Sequence, residues 1–140
     1  MIPRQATLLV ADEIYYNLLG KAILQGIYHS DLIIPKDPTT APQLLFYFIM
    51  ESDIADPFRS LAVEVTLPES KPVRNQVFVT IPLPPTEGRT RLFSRHPLLI
   101  QAPVLRPGRI EAKIIHDTGE IIVGAPWIAV NPPTPPPKPN

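Results

Sequence analysis

The stretch Arg109-Ile-Glu-Ala-Lys-Ile-Ile-His-Asp-Thr-Gly-Glu-Ile-Ile-Val123 decides the fold. Two runs rich in β-branched residues flank Asp117-Thr118-Gly119, residue types that favour a tight turn. Ile110, Ala112 and Ile114 alternate with Glu111, Lys113 and Ile115. That period of two is what a half-buried strand requires, so an antiparallel hairpin is expected. Pro107-Gly108 leads into it, and Trp127 follows directly after Pro126. A proline there donates no N–H, so a bulge or an edge position is expected where the last strand resumes. The hairpin and its flanks should close the domain near Val130.

Outward from the hairpin, proline sets the rhythm. Of 20 prolines, 14 are spread between positions 3 and 126. A proline inside a helix removes a donor and clashes with the preceding turn, whereas short strands fit between such breaks. The expected fold class is all-β: an antiparallel, immunoglobulin-like β-sandwich of about seven or eight strands with at most one short helix. The expected strands are Thr7–Tyr15, Lys21–Tyr28, Leu44–Met50, Arg59–Leu67, Gln76–Leu83, Leu98–Gln101 and the two arms of the hairpin. Leu61, Val63, Val65 and Leu67 share one face of their strand. Leu44–Met50 is apolar on both faces, as suits a central strand covered on two sides. Residues 11–24 could be drawn as an amphipathic helix. Tyr15, Tyr16, Asn17 and Gly20 in its middle favour a hairpin turning at 17–20. Residues 84–97, and the acidic segment from Glu51 to Pro57, read as connections.

A chain of 140 residues is expected to form one domain, residues 1–130, followed by a disordered proline-rich tail, 131–140. Without cysteine it has no disulfide, no cysteine-ligated zinc and no cysteine nucleophile. Thirteen basic residues balance 13 acidic ones, so no general field attracts nucleic acid or an anionic membrane. Leu8 to Ala11 is too short for the apolar part of a signal peptide, and Leu44 to Met50 is too short to span a bilayer. A soluble, cytoplasmic protein is the expectation.

Candidate chemistry is thin. Glu51, Asp53 and Asp56, with Asp117 from a second loop, could offer oxygens to a hard cation, but the spacing matches no calcium loop. His29 and His116 stand beside Asp31 and Asp117, and His96 stands apart. No serine or threonine has a nucleophile context and no glycine-rich loop cradles phosphate. Arg89, Arg91 and Arg95 with Phe93 and His96 form a small basic-aromatic group that could meet phosphates or a single nucleic-acid strand. The one sharp local signal is in the tail, where Pro133, Pro136 and Lys138 have the P-x-x-P-x-basic spacing read by aromatic-lined grooves in protein-recognition domains.

Leu8-Leu-Val-Ala-Asp-Glu-Ile14, then Gly20-Lys-Ala-Ile-Leu-Gln-Gly-Ile-Tyr28, and the ending Pro107-Gly108-Arg109-Ile110 through Ile114 together resemble a family of small uncharacterised bacterial β-sandwich proteins, a domain of unknown function. The resemblance spans most of positions 7–130 and implies an immunoglobulin-like or related sandwich. It brings no catalytic residues. The functional expectation is a non-enzymatic module without cofactor, catalytic residue or metal site, which binds a protein partner or self-associates. Neither nucleic acid nor a membrane is expected as a partner. The alternative is a sandwich that binds a cation or small ligand through loops 51–57 and 117–119.

Overall fold

The computed structural model describes residues 2–79, 88–131 and 138–139. Within them the strands are β1 (Gln5–Ala11), β2 (Glu13–Tyr16), β3 (Ala22–Gln25), β4 (Leu32–Ile34), β5 (Thr39–Thr40), β6 (Gln43–Asp53) and β7 (Leu61–Thr66). They continue with β8 (Val73–Gln76), β9 (Arg91–Gln101), β10 (Val104–Leu105), β11 (Gly108–Arg109), β12 (Glu111–His116), β13 (Gly119–Val123) and β14 (Trp127–Val130). No helix occurs among the described residues. The fold is all-β and sandwich-like, with every strand pairing antiparallel except β4 against β14.

Several short strands are pieces of longer ones. Thr39 pairs with Leu105 and Thr40 with Val104, and the same register runs on from Gln43↔Gln101 to Asp53↔Arg91. Pro42 and Pro103 donate no N–H and so interrupt the ladder. Ala41 N–H donates to the Pro103 carbonyl at 3.1 Å and Ala102 N–H to that of Pro42 at 2.9 Å, which carries the register across. In the terminal hairpin, β12 pairs with β13 and β11 with β14. Between the two ladders, residues 124–126 stand opposite only 110–111. The expected bulge beside Pro126 is therefore present, one residue on the Pro126 side having no cross-strand partner.

Joined in this way, β1, β5–β6 and β9–β10 form a first sheet. A second runs β8, β7, β11–β12, β13–β14 and β4. The core lies between them: Leu44, Phe46, Phe48 and Met50 of β6 meet Leu61, Val63 and Val65 of β7 and Ile110, Ala112 and Ile114 of the hairpin. At roughly 25 cal/mol per Å² of apolar surface removed from water, such burial is the main force that holds the two sheets together. The expected inward face of β7 is buried, and so are Ala62 and Glu64 on its other face.

β6 is buried on its second face too. Leu45 and Tyr47 point away from the core yet are almost inaccessible, because the β2–β3 hairpin lies against that side of the first sheet. The 17–20 turn is found, and the helical drawing of this segment is not. β1 and β2 are separate strands, bent at Asp12, where the expected single strand Thr7–Tyr15 breaks. Asp12 N–H donates to the Gln25 carbonyl at 3.1 Å, and the Tyr28 hydroxyl to its Oδ1 at 2.8 Å. A side chain at Gly26 would collide with the Asp12 carboxyl, and its φ of 71° suits glycine.

Several boundaries are corrected: the second expected strand ends at Gln25 rather than Tyr28, and β6 runs on through residues 51–53 of the segment read as a connection. The fifth strand is Val73–Gln76 rather than Gln76–Leu83, whose residues 80–83 lie outside the described residues. The turn after Leu67 closes with Ser70 N–H on the Leu67 carbonyl, so pairing starts as soon as Pro72 is passed. The segment read as a connection up to residue 97 contains seven of the 11 residues of β9. Among the described residues β9 has β6 as its only ladder partner, and an edge strand tolerates the donor that Pro97 lacks.

Candidate interaction surface

The β2–β3 hairpin exposes a cluster of large apolar side chains, Tyr15, Tyr16, Leu18, Leu19 and Ile23. Ile14↔Leu24 and Tyr16↔Ala22 are cross-strand pairs on the side turned to the first sheet, while Tyr15↔Ile23 is a pair on the solvent side. Its turn is closed twice over, by Gly20 N–H donating to the Asn17 carbonyl at 2.9 Å and Asn17 N–H to that of Lys21 at 3.0 Å. Asn17 Oδ1 also accepts from the backbone N–H groups of Leu19 and Lys21. Gly20, at φ 75°, supplies the left-handed residue this turn needs. Between these fixed points sit Leu18 and Leu19, 106% and 81% exposed. Central turn positions ordinarily carry Asn, Asp, Ser or Gly, so two bare leucines there serve neither the turn nor the core.

A second surface lies on the outer face of the second sheet. Trp127 and Ile122, 55% and 69% exposed, flank a groove of about 460 Å³ that opens at the bulge. Its walls carry Arg109 and Glu111, which have no ion-pair partner among the described residues. Its charged side holds Glu64, bridged to Arg74 at 2.6 Å and to Lys113 at 3.7 Å, with Lys113 also 3.1 Å from Glu120. These pairs explain how a glutamate can sit buried on the outer face of a strand.

The residues grouped as cation ligands divide between two roles. Glu51 pairs with Arg91 at 2.8 Å and accepts from Gln5. Asp53 accepts from the backbone N–H groups of Ala55 and Ile2, which hold its carboxyl below the usual range. Asp56 and Asp117 do come together from their two loops, but around a charge the chain itself supplies. The Arg4 guanidinium, its side chain 9% exposed, lies 3.2 Å from Asp56 Oδ1 and 3.2 Å from Asp117 Oδ1. It also donates to the Pro57 carbonyl at 2.7 Å and to Thr118 Oγ1, and stacks 4.9 Å above the Phe58 ring. Asp117 accepts the Arg59 N–H as well, and these bonds hold its carboxyl at about 2. Sequence reasoning missed Arg4, a lone arginine beside Pro3 with no pattern around it.

The histidines stand in three separate settings. His116 Nδ1 is the acceptor for Arg4 at 3.0 Å, and the ring meets Phe58 edge-on. His96 shares a 3.3 Å hydrogen bond with Asn75, and burial lowers its pKa. His29 is exposed, and its neighbour Asp31 accepts the Trp127 backbone N–H at 3.0 Å. Among the described residues no group of three or more histidine, aspartate or glutamate side chains could hold a metal ion. Arg91, Phe93 and Arg95 alternate along the outward side of β9, with Arg95 over the Phe93 ring at 6.0 Å, while Arg89 Nε donates to the Arg91 carbonyl. In the tail, Lys138 is exposed, and Pro133 and Pro136 lie outside the described residues. Comparison with protein-family models, curated proteins and solved structures gave no match.

Proposed function

We propose that this chain is a non-enzymatic β-sandwich module that works by binding a protein, with the β2–β3 hairpin as its contacting element. The observation that carries the reading is the turn at Leu18-Leu19. Its backbone is fixed by Asn17 and Gly20 while both leucines stand in water. A rigid apolar tip forfeits little conformational freedom on docking, and each leucine taken out of water favours binding. Kinship with the small bacterial sandwich proteins belongs to the same proposal. Its motif glycines Gly20 and Gly26 occupy positive-φ positions in and beside this hairpin, which supports it.

The test is affinity capture from host extract with the wild-type chain and with Leu18→Asp/Leu19→Asp, melting temperatures being compared first. Species retained by the wild type and lost by an equally stable variant are the expected result. Identical sets of captured proteins would overturn the reading.

A further inference from the structure

We infer that the partner of the hairpin tip is a second copy of this chain, which takes Leu18 and Leu19 into the groove beside Trp127. The inference rests on the reading of the hairpin as a contacting element and adds its receptor. Three features of the molecule carry it.

The first is the position of the two surfaces. Tyr16, Gly20, Lys21 and Ala22 of the hairpin lie by Tyr47, Arg95 and Pro97, the outward side of the first sheet. The groove opens on the outward side of the second sheet, where Ile122 and Trp127 point away from the inward Val123 and Ile128. Tip and groove are therefore on opposite faces of the sandwich. The tip cannot fill its own groove, but it can fill that of another copy.

The second is chemical fit. The tip offers two apolar side chains on a fixed turn, and the groove offers an indole and an isoleucine that are both half or more uncovered. The hairpin bears Glu13, which accepts from the Tyr15 hydroxyl, and Lys21, while the groove bears Arg109 and Glu111 beside the Glu64–Lys113 pair, so Lys21 of one copy can meet Glu111 of the next. Lys21, Arg109 and Glu111 are without ion-pair partners among the described residues. The third is overall charge. At 13 basic and 13 acidic residues, copies carry no net charge to repel one another. A contact between unlike patches on opposite faces is head-to-tail, and it propagates unless rotation closes a ring.

Trp127 is the sole tryptophan of the chain, so tryptophan emission reports on the groove and nothing else. The experiment pairs two variants that are each disabled on one side. Leu18→Asp/Leu19→Asp keeps the groove and its tryptophan. Trp127→Ala keeps the hairpin and is silent under tryptophan-selective excitation. Each alone should be monomeric by analytical ultracentrifugation, while the wild type grows in mass with concentration without stopping at a dimer. Mixed, the two should form a 1:1 complex that grows no further, with a blue shift of Trp127 emission. A triple variant lacking both sides should cause no shift, which corresponds to an affinity loss of at least about a hundredfold for two leucines. Should Trp127→Ala melt early, Ile122→Glu/Trp127→Phe serves as the silent titrant.

A wild type that stays monomeric at all concentrations, or a mixture without complex and emission shift, overturns the second copy as partner. So does a closed dimer that persists in either single-sided variant. If hairpin-dependent capture from extract survives such a result, the binding reading stands and only its partner is wrong.

Discussion

Replacing Arg4 by alanine removes the group around which one end of the sandwich is assembled. The guanidinium ties the start of β1 to the β6–β7 connection through Asp56 and the Pro57 carbonyl, and to the β12–β13 turn through Asp117 and Thr118. Truncating one partner of a fully buried ion pair costs about 3–5 kcal/mol. Here the Asp56 and Asp117 side chains retain 53% and 18% exposure, so water can partly replace the lost donors. A loss of about 2–3 kcal/mol is the resulting expectation. For a domain of this size, about 3–4 °C of melting temperature accompanies each kcal/mol, so Arg4→Ala should melt about 6–12 °C lower. Arg4→Lys keeps the charge without the planar fork and should recover less than half of that. The same variants should differ in acid. The Arg59 N–H first, then Arg4, hold the Asp117 carboxyl at about 2, below its ordinary 3.8. Its stabilising effect is present above 3.8 and disappears as pH falls toward 2. Without Arg4 that carboxyl rises toward its ordinary value, and the acid-unfolding midpoint should move to higher pH. Differential scanning calorimetry at neutral pH and a circular-dichroism acid titration read both effects. A melting temperature within 2 °C of wild type, at roughly 0.5 kcal/mol, would refute the keystone role of Arg4.

Three further outcomes are expected. Gly26→Ala should lower stability by about 1–3 kcal/mol in urea, because the new methyl meets the Asp12 carboxyl at a backbone angle that favours glycine. Tyr28, pushed up to about 12 first by burial and then by its bond to Asp12, should be the last tyrosine to ionise. That late phase of an ultraviolet titration should vanish in Tyr28→Phe, and its stabilising effect, complete below pH 10, should fade as pH rises through 12. Phe46→Ala should cost about 3–5 kcal/mol in equilibrium denaturation, whereas Leu18→Asp/Leu19→Asp should stay within about 0.5 kcal/mol, since one side chain fills the core and the others touch none of it.

The elements legible in the sequence are those whose pattern is local. The alternation of Leu61 to Leu67 and of Ile110 to Ile114 states which side faces inward without any knowledge of partners. The double-sided burial of β6 was equally plain from its unbroken apolar run. What escaped was long-range. β9 begins at Arg91 because Leu92, Leu98 and Ile100 line up opposite β6, and the intervening arginines and Pro97 hide that alternation. The role of Arg4 depends on two loops, more than 50 and more than 110 residues away, arriving at one place. Leu18 and Leu19 were visible as turn residues, but whether such a turn folds inward or stands in water is decided by what the hairpin lies on. The groove beside Trp127 arises from an unpaired residue in a ladder, for which Pro126 was the only local sign.

The bulge at 124–126 also fixes a parity. Along β13 the odd-numbered residues face inward, and along β14 the even-numbered Ile128 does. Had the first register run on, Trp127 would stand opposite Gly108 and point into the core, with Ile128 turned out to water. The extra residue shifts the frame by one, as an inserted letter does in a message read in pairs. Deleting Ala125 leaves two residues facing two, so a single register runs from Gly108 to His116 and Trp127 keeps Arg109 opposite it. The tryptophan stays outside while the opening beside it closes. The chain thus carries a backbone handle on its groove that is separable from the side chains lining its rim.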